Sequence, residues 1–233
     1  PDTAGLPPGL ERSFEPVQAG TRYARFAKEV HRLASAIDPE VKVIYYAYLN
    51  YFWAPPQPFE MSPNIIIEFV PWFRWAGWFT RTDAEHEWIK EQWLGWRRTG
   101  VSIHYRPNWF LDGYTMPLVY MHQFGDAFQF YARNGMTGTD FDSLQGQWAA
   151  QGPNLYLLSR IHVRPEMSVD DLLDEYYAAF GPAAAGVKAY FTHWEDYAIG
   201  NSSRAAGAIR SRRDGHFRRY ALYAQVADEL YPA

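Results

Sequence analysis

The sequence contains no cysteine. That excludes disulfides, thiolate metal sites and a cysteine nucleophile, and leaves the compartment open. It also lacks a strong charge imbalance. Charged residues make up 21% and the formal net charge is -4, so neither nucleic acid nor an anionic membrane is indicated as a partner. No apolar run is long enough to span a bilayer, and the first residues carry no charged-then-apolar signal. No strand-like segment leads into G-x-G-x-x-G or a P-loop, which argues against nucleotide binding. No H-E-x-x-H occurs, and "EHE" at 85–87 spreads over several sides of a helix, so no metal or other cofactor is expected.

Aromatic residues are what the chain has in excess: 18%, with ten Trp and seventeen Tyr. Part of that must form core. Amphipathic rings also make platforms on which sugars stack through their C–H faces. The composition therefore leans toward carbohydrate.

With 233 residues the chain suffices for one large domain with a substantial core. A Pro/Gly-rich lead-in ends before "TRYARFAKEVHRLASAI", where Tyr23, Phe26, Val30, Leu33 and Ile37 mark an amphipathic helix. "VKVIYYAYLN" is β-branched and aromatic, a strand. A proline-stiffened loop leads to a second strand, "NIIIEFV". An aromatic loop then ends at Thr82, which with Glu85 reads as a capping box opening the helix "DAEHEWIKEQWLGWRRTG". Trp88, Trp93 and Trp96 on that helix are expected in the core, and Gly100 is its stop. "VSIHY" is a third strand, and "PLVYMHQFGDAFQFYARNG" a helix with proline at its start and glycine at its end. "MTGTDF" is a fourth, weaker strand. Only helices follow: "NLYLLSRIHV", "SVDDLLDEYYAAF" with a second capping box at Ser168 and Asp171, "PAAAGVKAYFTHWEDYA" and "HFRRYALYAQVADELY".

This order predicts an α/β fold with parallel strands and helical crossovers. Four such strands fit an open doubly wound sheet or half of a (β/α)8 barrel, a fold that typically needs about 250 residues. The expected division is residues 1–150 as the C-terminal half of a barrel and 151–233 as a helical extension. Four further strands would precede residue 1, making the chain a fragment.

Several motifs in series carry a resemblance. They are "AIDPEVKVIYYAYLNYFWAPP", "NIIIEF", "HYRPNW", "NGMTG" and "AAFGPAAAGVKAY", over roughly residues 20 to 195. Together they resemble a bacterial domain-of-unknown-function family of glycoside-hydrolase-like (β/α)8 TIM-barrel proteins related to α-glucuronidases and β-hexosaminidases. The resemblance implies the second half of such a barrel and a secreted or periplasmic enzyme of carbohydrate metabolism. The chain departs from the family pattern twice. His104 stands where the family has an aspartate, and the family's glutamate falls near Phe141, between Asp140 and Asp142.

Barrel enzymes build their sites at the C-terminal ends of strands. The first strand end offers Tyr46, Tyr48 and Asn50; the second offers Glu68, with Trp72 and Arg74 beyond. The third offers His104 and Arg106, with Tyr105, Asn108 and Trp109 nearby, and the fourth Asp140 and Asp142. Glycoside cleavage needs a proton donor and a second carboxylate, so Glu68, Asp140 and Asp142 are the candidate catalytic groups. The remaining residues, with Trp53 in the loop after the first strand, are candidates to hold a sugar; Arg106 could pair a uronic acid carboxylate bidentately. The plainer alternatives stand beside these. Glu68 follows three isoleucines and also admits a reading as a buried, hydrogen-bonded core carboxylate, although a strand-end carboxylate in a barrel is unusual as core. Asp140 and Asp142 read as turn and cap residues, and His104 as a satisfied inner-face histidine. His122 and His162 lie within helix patterns as structural residues.

The leading expectation is a metal-independent glycoside hydrolase acting on polysaccharide- or glycan-derived glycosides. The alternatives are a non-catalytic carbohydrate-binding barrel and an open α/β domain with unrelated ligands. Carbohydrate is the expected partner. An open half barrel leaves two sheet edges exposed, so the missing barrel half or a homo-oligomer is expected to cover them.

Overall fold

A computed structural model describes residues 16–48, 51–71, 83–108, 117, 119–142 and 147–209. The elements in order are α1 (Pro16–Ser35), β1 (Val43–Ala47), β2 (Ile65–Phe69), α2 (Asp83–Arg97), β3 (Ser102–Tyr105), α3 (Met121–Arg133) and β4 (Gly138–Thr139). Then come α4 (Trp148–Val163), α5 (Val169–Ala178), a 3-10 turn at Gly181–Ala183, and α6 (Ala184–Ile209). The expected last helix, "HFRRYALYAQVADELY", and the Thr82–Glu85 capping box lie outside what is described.

Local chemistry accounts for several boundaries. Gly100 (φ 91°) and Gly135 (φ 81°) adopt the left-handed conformation just beyond α2 and α3, where a β-carbon would be strained. Ser168 caps α5: its Oγ accepts from the Asp171 N–H at 3.0 Å, satisfying a first-turn amide, and donates to Asp171 Oδ2 at 2.7 Å. Helix α4 starts earlier than the periodicity of "NLYLLSRIHV" predicts. It begins at Trp148 and crosses a kink at Gln151 (φ -134°), two residues before the internal Pro153. Proline there lacks an N–H and crowds the preceding turn, which accounts for the kink.

The four strands form one parallel sheet in the order β1-β2-β3-β4. This is the mixed α/β arrangement with parallel strands that the sequence predicts. Residues alternate between faces along each strand. One face carries Tyr45, Phe69 and Tyr105, which meet Trp96 and Trp93 of α2 and Tyr131 of α3 at ring-centroid distances of 4.6–5.9 Å. Tyr51 bridges this face to α1, stacking on Tyr23 at 4.5 Å and approaching Tyr45 at 6.2 Å. Trp96 Nε1–H donates to the Phe52 carbonyl at 2.8 Å and Trp93 Nε1–H to the Asn134 carbonyl at 3.0 Å, so two fully buried indoles are also satisfied. Aromatic pairs of this kind add about 0.5–1.5 kcal/mol each beyond the area they bury. The opposite face is less covered: Ile44 is 59% and Tyr46 42% exposed.

The chain divides into two compact units. The first takes in the sheet, α1, α2 and the part of α3 from Asp126 onward. The second takes in α4 to α6 and the first turn of α3, up to Gly125.

Candidate functional site

Register places Tyr46, Glu68, His104 and Gly138 in a single row across the four strands. They share the less covered face. The ladder continues past the strand ends: Val70 N–H donates to the Ala47 carbonyl, Arg106 N–H to that of Phe69, and Asp140 N–H to that of Tyr105. Two residues further along the same face stand Tyr48, Arg106 and Asp140, at the carboxyl edge of the sheet. Period-two alternation is what gathers these polar groups there.

Glu68 is 4% exposed. Its Oε1 lies 3.0 Å from His104 Nδ1, which donates to it. Its Oε2 is buried and has no hydrogen-bond partner among the described residues. Burial raises the Glu68 pKa, because the charged form loses water. The neighbouring imidazole and its hydrogen bond pull it back, the Asp140 charge adds to the rise and Arg106 opposes it. The net direction is upward. An orphaned buried carboxylate oxygen is costly, and such groups call for an explanation beyond packing.

Arg106 is the hub of the second row. Nε donates to Asp140 Oδ2 at 3.2 Å, Nη2 stands 3.4 Å from Asp142 Oδ2, and Nη1 donates to Asn108 Oδ1 at 3.1 Å. The Tyr46 ring lies 5.2 Å from the guanidinium carbon, a cation–π contact. Tyr48 is hydrogen-bonded with the Asn108 side chain, and burial raises its hydroxyl pKa. Gly138 completes the arrangement by absence. A β-carbon there would stand 2.8 Å from Nε2 of His104 and 2.9 Å from Cδ2, so glycine lets the imidazole lie against β4.

Chemically, the cluster offers a buried acid that holds its proton to higher pH than usual. Beside it lie two aspartates fixed by a guanidinium, and a half-exposed tyrosine ring. Among the described residues no group of three or more His, Asp or Glu is placed to hold a metal ion, and no helix is long and apolar enough to cross a membrane.

A family model for a domain of unknown function, DUF4838, matches residues 18–193. The chain belongs to this family. No curated protein and no solved structure matches it. Every residue of the strand-end cluster in this DUF4838 chain lies inside the matched stretch, as do β1 to β4.

The structure brings together Tyr46, Tyr48, Glu68, His104, Arg106, Asn108, Asp140 and Asp142. Two expected ligand contacts are corrected. Trp53 is 3% exposed and packs edge-on against Phe52 and Trp88, because its loop folds back under α1 and α2 instead of standing at the strand ends. Tyr105 is 1% exposed; being adjacent to His104 on a strand, it points to the opposite face and packs on Tyr131. Asn50, Trp72, Arg74 and Trp109 lie outside the described residues.

One polar cluster escapes sequence reasoning altogether. In the second unit, buried Glu195 of α6 accepts from the His122 backbone N–H at 2.9 Å, and its other oxygen lies 2.7 Å from His122 Nδ1. Asp170 Oδ1 stands 3.3 Å from His122 Nε2. Two carboxylates bracket the ring, and the hydrogen bond that His122 donates to Glu195 leads in raising the His122 pKa to about 9. His122 and Glu195 are 73 positions apart, so nothing local announces the pairing.

Proposed function

We propose that this DUF4838 chain carries part of a glycoside hydrolase site on the wall of a (β/α)8-type barrel. Glu68 donates the proton to the departing glycosidic oxygen, and Asp140 supplies the second carboxylate. The observation that carries the reading is Glu68 itself: a buried carboxyl, raised in pKa, tied to His104 through one oxygen and unpartnered at the other. It sits at the carboxyl ends of parallel strands, where barrel enzymes place their chemistry. A general acid for glycoside cleavage has to keep its proton near neutral pH, and burial is the usual means.

Supporting features are geometric. The strands run in sequential order, and α1, α2 and α3 all meet the same sheet face. A doubly wound sheet would reverse its order and carry helices on both faces. In a barrel, β1 and β4 would pair with further strands, and the face bearing Tyr46 and Glu68 would line the interior. Tyr46 then offers its ring to a sugar, with Arg106 behind it. Asp140 is the more exposed of the two aspartates, at 49% against 34% for Asp142, which favours it for contact with substrate.

A specific observation favours the second reading, a carbohydrate-binding domain without turnover. Both aspartates are already ion-paired to Arg106, which lowers their readiness to act as nucleophile or base. Glu68→Gln separates the two readings. Assayed on a panel of aryl glycosides, the hydrolase reading expects turnover by the native chain, and a loss of roughly 10²–10⁴-fold in the variant with sugar binding retained. Binding without turnover by the native chain leaves the second reading standing. Neither binding nor turnover overturns both.

A further inference from the structure

We infer that the sugar accepted at the strand ends carries no carboxylate: the site takes neutral or basic glycosides and rejects uronic acids. This rests on the carbohydrate reading above and sharpens it. Sequence alone makes Arg106 a natural bidentate partner for a uronate. The structure gives that guanidinium to the protein instead. Two parallel N–H groups along one edge are what a bidentate carboxylate requires. On the Nε/Nη2 edge those positions face Asp140 at 3.2 Å and Asp142 at 3.4 Å, and Nη1 donates to Asn108 at 3.1 Å. One flat face is covered by Tyr46. The Nε/Nη2 fork is thus held by the protein's own carboxylates, and an incoming carboxylate would have to displace them to use it.

Charge leads to the same conclusion. Among the described residues of the cluster, three carboxyl groups, those of Glu68, Asp140 and Asp142, stand against one guanidinium and one imidazole, and that imidazole is engaged by Glu68 at 3.0 Å. The guanidinium is outnumbered by its own aspartates before any ligand arrives. A further anion would be repelled by these carboxylates at short range. Glu68 supplies an independent sign that a ligand belongs here: it is 4% exposed, and Oε2 has no partner among the described residues. A sugar hydroxyl would satisfy that oxygen. A sugar carboxylate would repel it once Glu68 ionises.

The test is a glycan array of matched pairs that differ only in an uncharged hydroxymethyl or a carboxylate at the terminal sugar, with amino sugars included. The full chain is applied at low and at physiological salt. The expected result is binding to neutral or amino-sugar glycans, with each uronate counterpart weaker by roughly 100-fold or more. Asp140→Asn combined with Asp142→Asn should raise uronate binding at least tenfold by freeing the guanidinium. Uronate-terminated glycans binding best would overturn this inference and leave the carbohydrate reading intact. No binding to any glycan would sink both together.

Discussion

Strand β4 meets the imidazole of His104 at Gly138, where a β-carbon would stand 2.8 Å from Nε2. The ring is thereby held between β4 and Glu68, whose Oε1 is 3.0 Å from Nδ1. Gly138→Ala should push the ring aside and break that tie, costing about 1–3 kcal/mol by overpacking. Adding His104→Ala should recover most of the loss, since the clash then has no second partner. Urea unfolding of the four proteins in the cycle measures this. Strictly additive effects would mean that the ring and Gly138 do not press on each other.

Glu68 should weaken the fold at neutral pH. Its folded pKa is raised, chiefly by burial, above an unfolded value near 4.3. The folded state therefore binds the proton more tightly than the unfolded chain does. Stability is fully present below the unfolded pKa and declines as pH rises through the raised one. Glu68→Gln removes the charge and should stabilise the protein at pH 7 by on the order of 1 kcal/mol, while removing any proton donation. Denaturation midpoints at pH 4, 5.5 and 7 test it. A variant less stable than the native chain at pH 7 would show that the ionised carboxylate is well satisfied.

Much of this arrangement is legible in the sequence, and the limits have physical reasons. The three- and four-residue spacing in α2 and the isoleucine run of β2 match burial, so those elements can be read locally. In α1 the spacing marks the helix but not its buried side, since Phe26 is 66% and Leu33 55% exposed while Ala24 and Ala27 are buried. Alternation along "VSIHYR" already puts His104 and Arg106 on one face. It equally excludes Tyr105, the correction that the buried ring makes explicit. Trp53 is different. A tryptophan in a proline-rich loop carries no period, and only the packing of that loop against Trp88 shows it to be core. The pairing of Arg106 with Asp140 and Asp142, and of His122 with Glu195, depends on register and helix packing across dozens of residues. Residue types and spacing do not encode such distances.

The cap of α5 gives a local prediction. Ser168 Oγ accepts from the Asp171 N–H at 3.0 Å, satisfying one of the amides left unpaired in the first turn. Ser168→Ala should cost about 1 kcal/mol, and Ser168→Asp very little, because a carboxylate also caps and suits the helix dipole. Thermal unfolding of both variants decides the matter. Equal losses from alanine and aspartate would mean that the hydroxyl's bond to Asp171 Oδ2, and not the cap, is what counts.

The bracketed imidazole of His122 should make the second unit sensitive to alkali. Hydrogen bonding to Glu195, the largest influence, and then the Glu195 and Asp170 charges raise its pKa to about 9 from 6.5. The folded form thus holds its proton where the unfolded chain has lost it. This contribution is complete below pH 6.5 and fades between 6.5 and about 9. His122 is 45% exposed at its side chain, so solvent screening cuts the full linkage value to on the order of 1 kcal/mol. Glu195→Gln keeps an oxygen to accept from the His122 backbone N–H and removes the charge that holds the imidazolium. Its stability should therefore fall less steeply than the native protein's between pH 6.5 and 9. Chemical denaturation followed across that interval compares the two slopes, and parallel declines would place the alkaline sensitivity elsewhere.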